Sequence, residues 1–374
     1  NPQLLILHRC KQTTSIVNFS TKKQQAGFYM LVSIGILAHN EEHDIGTLIA
    51  DLAKQNLLFN KRLSIELHVV ANGCTDDTIG VAKTALDEQP FKQENITIFI
   101  HELSRAGKSN AWNEFVHTLA SPKTDFVFLL DADIRIPEST TLQLVLDRLV
   151  SSKTAYVAVD ESVKDLSESA HKTVTERLIL AASGTGYNTR TAIAGALYCV
   201  RFDVLKDIWM PIGLPGEDGF LRAMILTSNF TKDENLDRII FVEGARHIFE
   251  SERTLRGVFR HNVRLAIGTA VNVLLFTHIR TSADIKGRVG DYIRERNAAD
   301  PHWINELIKT EIRRGKYFLL NKDFILKRVQ GFWSLPLSQR LLRWPIFALA
   351  FVFDVALLVR ASQLMRKGAG AGYW

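Results

Sequence analysis

Apolar residues in the first half of the chain follow two alternating rhythms. Short unbroken runs rich in β-branched and aromatic side chains fall at Val32 to Leu37, Ile65 to Val70, Ile96 to His101 and Phe126 to Leu130, and such runs predict buried strands. Between them, Ile45 to Gln55, Thr78 to Leu86 and Ser109 to Leu119 repeat apolar residues at helical spacing. Strand and helix in alternation predict a doubly wound α/β domain with a mostly parallel central sheet, in which ligands bind beyond the carboxyl ends of the strands. A second stretch, from about Ala155 to His247, adds predicted strands at Ala196 to Val200 and Ile239 to Val242 and a helix opening near Glu217 and Asp218. Residues 1–29 are polar and irregular and are read as a mobile leader, with periodic structure starting at Leu31.

Beyond residue 250 the pattern turns helical and basic, which divides the chain into an α/β domain at 30–250 and a helical extension at 251–374. The most apolar segment runs from Leu337 to Met365 and includes Trp344 to Val359 between Arg343 and Arg360. It falls short of the roughly 20 residues of a comfortable membrane span and carries Asp354. We therefore expect a helix from about Leu337 to Arg366 that lies on the cytosolic face of a membrane. Phe347, Leu349, Phe351, Phe353 and Leu357 would be buried in lipid, with Arg340, Arg343, Arg360, Arg366 and Lys367 at the headgroups. The alternative is a core helix or one that forms a homo-oligomer. The Gly-Ala-rich end, Gly368 to Gly372, is expected to be flexible.

With 46% hydrophobic and 23% charged residues, the 374-residue chain is not a disordered one. Its 46 Lys and Arg against 40 Asp and Glu give +6, a mild excess that favours phosphates or acidic lipid and does not imply nucleic acid. Three widely spaced cysteines, Cys10, Cys74 and Cys199, suggest neither a disulfide framework nor a zinc site. With no secretory signal pattern in the first thirty residues, a reducing, cytoplasmic setting is expected.

The chemistry-bearing segments coincide with predicted strand ends: His39-Asn40-Glu41-Glu42 after the first, Asn72-Gly73-Cys74-Thr75-Asp76-Asp77 after the second, Asp131-Ala132-Asp133 after the fourth. Two carboxylates separated by one small residue make a hard-oxygen site for Mn2+ or Mg2+, able to bridge a diphosphate and neutralise a leaving group. Arg105-Ala106-Gly107-Lys108-Ser109-Asn110 joins the third strand to its helix and suits a phosphate site of backbone amides and one cation, without the spacing of a P-loop.

In this order, Asn40-Glu41-Glu42, Asn72 to Thr78, Gly107-Lys108-Ser109-Asn110-Ala111, Asp131-Ala132-Asp133 and Gly216-Glu217-Asp218-Gly219 resemble the family-two glycosyltransferases with the Rossmann-like glycosyltransferase A fold, over roughly residues 31 to 250. The resemblance implies a metal-dependent enzyme that moves a sugar from a nucleotide-diphosphate donor to an acceptor hydroxyl, with inversion. It implies that Ala38, Asn40 and Glu41 line the nucleoside pocket, that Asn72 lies near the base and that Lys108 lies near the donor. Asp133 becomes the principal metal ligand, and Asp131 faces the ribose or supports the metal. Asp218 becomes the base that takes the acceptor proton, with Glu217 as helper. The common Pro and aromatic residue before the Asn are replaced by Ala38 and His39, and the usual Asp-Asp-Gly-Ser reads Ala71-Asn72-Gly73-Cys74, so both departures fall in the base pocket.

His247, in Gly244-Ala245-Arg246-His247-Ile248-Phe249, resembles the third metal ligand of some glycosyltransferase A enzymes, several of them retaining. Arg253, Arg256, Arg260 and Arg264 recur at helical spacing, as a solvated face, a clamp on the donor diphosphate or a contact for anionic lipid. The membrane expectation favours a lipid-linked or membrane-proximal acceptor. Two other readings compete. A sugar nucleotidyltransferase opens with a Gly-rich loop and a basic residue after the first strand, where this chain has His39-Asn40-Glu41-Glu42. A non-catalytic sugar-nucleotide-binding or scaffold module at a membrane predicts the loss of an acid, whereas Asp131, Asp133, Glu217 and Asp218 are all present.

Overall fold

A computed structural model describes residues 13–17, 30–89, 91, 93–183, 189–314 and 329–367. Cys10 and Gly368 to Gly372 lie outside them. The strands are β1 (Thr13–Val17), β2 (Met30–Ala38), β3 (Leu63–Asn72), β4 (Ile96–Leu103), β5 (Phe126–Asp131), β6 (Ile134–Arg135), β7 (Val157–Lys164), β8 (Leu197–Arg201) and β9 (Ile239–Phe249). They form one mixed sheet in the order β1-β4-β3-β2-β5-β8-β7-β9-β6. The block β4-β3-β2-β5 is parallel, and β8 turns the sheet antiparallel against both β5 and β7.

The parallel block follows from its composition. In β2, Val32, Ile34, Ile36 and Leu37 are all buried, as expected of a strand covered on both faces. One face packs on α1 (Ile45–Leu52), α2 (Thr78–Glu88) and α4 (Thr141–Ser151), through Ile45, Leu48, Ala82, Leu142 and Val145. The other packs on α3 (Lys108–Glu114) and a wide turn at Phe115–Leu119. The sequence pattern predicts one helix through this whole span. It loosens at Phe115, whose ring fills the space beside Gly35 that any Cβ would occupy.

Two one-turn helices, α5 (Asp165–Glu168) and α7 (Phe202–Leu205), and the helix α6 (Val174–Ser183) join the later strands. β7 was not anticipated: its first half is apolar, but its second half, Glu161 to Lys164, reads as polar loop. β9 also runs well past the predicted Val242, bending at Gly244, which has a φ of +84°, and pairing onward with both β7 and β6.

The helices α8 (Glu217–Leu226), α9 (Leu255–Thr281), α10 (Val289–Ala299), α11 (Trp303–Arg313) and α12 (Leu337–Arg366) complete the described chain. Val263, Ile267 and Val271 of α9, Trp303 of α11 and Leu357 of α12 belong to the same apolar cluster as Leu129 of β5 and Phe220 of α8. The helical extension therefore shares its core with the sheet that carries the strand-end acids.

Candidate active site

Two loops at the carboxyl ends of β2 and β3 are tied together by their own side chains. Asn40, at φ +58°, adopts a left-handed conformation that Asn tolerates better than most residues. Its Oδ1 accepts from the backbone N–H of Thr75 at 2.7 Å. The N–H of Glu41 donates to Thr78 Oγ1 at 2.8 Å, the N–H of Glu42 to Asp76 Oδ2 at 3.1 Å, and the N–H of Asp77 to Glu42 Oε2 at 2.9 Å. Asn72 is buried at the centre: its Nδ2 donates to the carbonyl of Ala38 at 2.7 Å and its Oδ1 accepts from the N–H of Gly107 at 2.9 Å. Of the residues the sequence reading put around the nucleoside, Ala38, Asn40, Glu41 and Asn72 all take part in hydrogen bonds within the protein that join these loops.

Charge converges next to this frame. Lys108, the first residue of α3, places Nζ 2.7 Å from each carboxylate oxygen of Asp131, the last residue of β5, and 3.5 Å from Glu217 Oε1. Burial works against the Lys108 ammonium, but Asp131, Glu217 and Asp218 outweigh it and hold its pKa above the ordinary range. Burial pushes Asp131 up to about 6, with Lys108 opposing the shift and Asp133 adding to it. Asp218 is pushed up to about 7, first by burial and then by the charge of Glu217, with Lys108 opposing. Glu41 reaches about 8, first by burial and then through Asp133, Asp44, Asp131 and Asp76. Asp133 itself is exposed, beyond the end of β5.

Glu217 and Asp218 form the first turn of α8, where the N-terminal end of the helix dipole favours negative charge. Gly216, at φ +150°, gives the chain its sharp entry into that turn. Three further residues shape the site. A Cβ on Gly195 would collide with the Asp218 carboxylate, and the backbone of Gly195 hydrogen-bonds that carboxylate. Asn272 of α9 donates from Nδ2 to the carbonyl of Gly216 at 2.7 Å, and Gly268 lies against Pro215 and Gly216. The available signals were faint: a glycine between two alanines before β8, and one Asn in an otherwise apolar stretch of α9.

His247 is buried within β9, and its Nδ1 lies 2.9 and 2.8 Å from the two oxygens of Asp160, itself buried in β7. Burial pushes the Asp160 carboxyl up, while the bond to His247 opposes that shift. With Asp160 accepting from Nδ1–H, the lone pair rests on Nε2, which has no hydrogen-bond partner among the described residues. Asp160 is the partner of His247 that sequence reasoning missed, although a buried-strand pattern from Tyr156 to Val159 that ends directly on an acid was a signal.

Whether these residues fit a divalent ion is a question of charge and donor type. Beside the effect of burial, Asp133 raises the proton affinity of Glu41 and of Asp131, and Asp131 that of Glu41, because negative charge is crowded there, which a cation would relieve, and carboxylate oxygens suit Mn2+ or Mg2+. Among the described residues no three His, Cys, Asp or Glu side chains are gathered as a ready-made cage. The fit is therefore to an ion that takes part of its ligands from a bound phosphate. Three of the four arginines of the basic stripe lie on a solvated helix face, the first of the expected readings, and one does not. Arg253 precedes α9, pairs with Glu176 at 3.2 Å and contacts Asp165, while Arg256, Arg260 and Arg264 are exposed on the helix.

Comparison with known proteins bears on this geometry. Residues 33–209 match the family described as glycosyl transferase family 2. The structure is similar to that of a mannosyltransferase from Pyrobaculum calidifontis in complex with GDP-Man and Mn2+, with a TM-score of 0.51 and 16% identity, covering 91% of this chain and 88% of that one. It is also similar to glucosyl-3-phosphoglycerate synthase from Mycobacterium tuberculosis in complex with phosphoglyceric acid, with a TM-score of 0.43 and 17% identity, covering 64% and 78%. None of the curated proteins matches the chain.

Proposed function

We propose that this chain, whose residues 33–209 match glycosyl transferase family 2, is a glycosyltransferase that transfers a sugar with inversion from a nucleotide-diphosphate donor to an acceptor hydroxyl, in a metal-dependent reaction. The observation that carries this reading is the convergence of Lys108, Asp131, Glu217 and Asp218 from three separate elements, with the Asp218 carboxyl raised to about 7. A base that titrates near the working pH transfers protons most effectively.

In the proposed reaction the acceptor oxygen attacks the anomeric carbon while the bond from that carbon to the diphosphate oxygen breaks. The diphosphate leaves with the bonding pair, and the hydroxyl proton passes to an oxygen of Asp218. Glu217 keeps negative charge beside that carboxylate and so supports its basicity. Lys108 fixes Asp131 in place and presents a buried cation toward the donor side. Asp133 and Asp131 would hold the ion together with phosphate oxygens of the donor, because His247, the third ligand expected from the sequence, is not gathered with them in one cluster. When bound, Mn2+ or Mg2+ would neutralise charge on the departing diphosphate. The frame of Ala38, Asn40, Glu41 and Asn72 would shape the nucleoside pocket. The fold shared with the Pyrobaculum mannosyltransferase, which is seen with GDP-Man and Mn2+, supports this choice of donor class and ion.

Thermal-shift measurements against nucleotide-diphosphate sugars, with and without Mn2+, test the proposal. At least one donor should raise the melting temperature, and more so with the ion. The absence of any shift across UDP-, GDP- and dTDP-sugars in both conditions would refute it.

A further inference from the structure

Helix α12 packs along one side only. Asp354, Leu357, Leu358, Ala361, Ser362 and Met365 are buried, and Phe353 meets Phe259 of α9 edge to face. Leu342, Ile346, Leu349 and Val352 face outward, at 80, 71, 74 and 65% exposure, and Val355 and Val359 continue the line. Steps of three and four residues set these six side chains within one half of the helix surface. From Leu342 to Val359 the stripe is about 25 Å long. A contiguous exposed apolar strip on this scale marks a surface that meets something apolar.

The chemistry around the stripe identifies what it meets. In the sequence, Asp354 argued against lipid, but the fold turns Asp354 into the protein at 2% exposure, and residues 337–367 contain no other acid. Arg343, Arg360 and Lys367 are exposed along the helix. Arg256, Arg260 and Arg264 are exposed on the part of α9 that reaches α12 through Phe259, with Arg260 lying 3.7 Å from Glu252. A second copy is a poor occupant. A two-fold pairing along the stripe sets Arg343 against Arg360 when antiparallel, or each against itself when parallel, with no acid to compensate. Acyl chains rimmed by anionic headgroups match both the stripe and its cations.

We propose that α12 is a membrane-docking element that lies in the interface of a bilayer containing anionic lipid. The stripe from Leu342 to Val359 enters the acyl boundary, and Arg343, Arg360 and Lys367, with Arg256, Arg260 and Arg264 of α9, meet the phosphates. The helix from Leu337 to Arg366 is long and apolar enough to cross a membrane, but its second half is covered by protein at Asp354, Leu357, Leu358, Ala361, Ser362 and Met365, which sets it along the membrane rather than across it. α9 links this surface to the site, since Gly268 and Asn272 hold the segment that leads into Glu217 and Asp218. The inference does not depend on the glycosyltransferase reading.

Co-sedimentation of the full chain with phosphatidylcholine vesicles, with and without phosphatidylglycerol, tests it. The chain should pellet with the anionic vesicles. The variant L342E/I346E/L349E/V352E should lose roughly tenfold or more in vesicle affinity with an unchanged melting temperature, because the four positions are exposed. The variant R256Q/R260Q/R264Q should keep its fold and lose the preference for phosphatidylglycerol. Quenching of Trp344 fluorescence by brominated acyl chains, removed by Trp344→Phe, gives a second reading on the otherwise native chain. Equal pelleting of the four-Glu variant overturns the proposal. So does a full chain that stays in the supernatant as a dimer that the same variant dissociates, since a second copy then covers the stripe.

Discussion

Lys108 Nζ lies 2.7 Å from both carboxylate oxygens of Asp131. This contact joins the first turn of the helix after β4 to the last residue of β5, so the same ion pair supports both the fold and the site. Lys108→Met leaves the partly buried Asp131 without its counter-charge and is predicted to destabilise the protein by about 2–4 kcal/mol, somewhat below the ~3–5 kcal/mol of a fully buried pair because both side chains keep some exposure. The double variant Lys108→Met/Asp131→Asn should recover part of that loss, because the orphaned charge goes with the partner. Urea unfolding measures both. A Lys108→Met protein as stable as the parent would show that the pair contributes nothing.

Asp218, raised to about 7, should set the pH dependence of turnover. Below that pH it is protonated and cannot accept the acceptor's proton, so the rate should rise with pH through about 7 and then level. Asp218→Asn should lower kcat by about a hundredfold or more and abolish that limb, while leaving donor affinity in place. Stability carries the opposite sign. Between the ordinary carboxylate range and about 7 the folded chain holds a proton on Asp218 that the unfolded chain has released, so stability should fall with rising pH across that window, and less steeply in Asp218→Asn, where the raised Asp131 and Glu41 alone remain. A pH–rate profile that is identical in the two proteins would move the base elsewhere.

Asp133 is exposed and contributes no core atoms. Asp133→Ala is therefore predicted to keep the parent's melting temperature while abolishing the Mn2+ dependence of donor binding. Isothermal titration calorimetry of a nucleotide-diphosphate sugar, with and without the ion, reads this directly. Undiminished ion-dependent binding in the variant would exclude the assigned role.

Gly195 acts through another residue. A methyl group there collides with the Asp218 carboxylate, so Gly195→Ala should lower kcat at least tenfold through a displaced base while KM for the donor changes little. Steady-state kinetics separate the two constants. A variant with parental kcat would mean that the carboxylate has room to move without consequence.

Asn72 is predicted to matter for stability before it matters for specificity. Asn72→Leu strips the Ala38 carbonyl and the Gly107 N–H of their buried partner, which should cost about 2–4 kcal/mol, one unsatisfied polar group at each end. Chemical denaturation gives the value, and a loss under about half a kilocalorie would show that water or relaxation replaces both bonds.

Much of this protein follows from local pattern. The four apolar runs form β2 to β5, and the strand-end position of Asp131 and Asp133 follows from the burial of Phe126 to Leu130 before them. The bounds of α12, Leu337 to Arg366, are those the apolar spacing predicts. Neighbouring residues determine such features through periodicity and propensity, so one stretch of sequence contains the information. The tertiary structure decided what depends on distant partners. It extended β9 through His247 and set that ring against Asp160, 87 residues away. It made Asn72 a tie between two loops, placed Gly195 under Asp218 and turned Asp354 inward while leaving Leu342 and Leu349 outward. Composition tells that α12 is apolar; only packing against α9 determines which side of it is covered, because a helix that is apolar nearly all round has no preferred face until a neighbour supplies one.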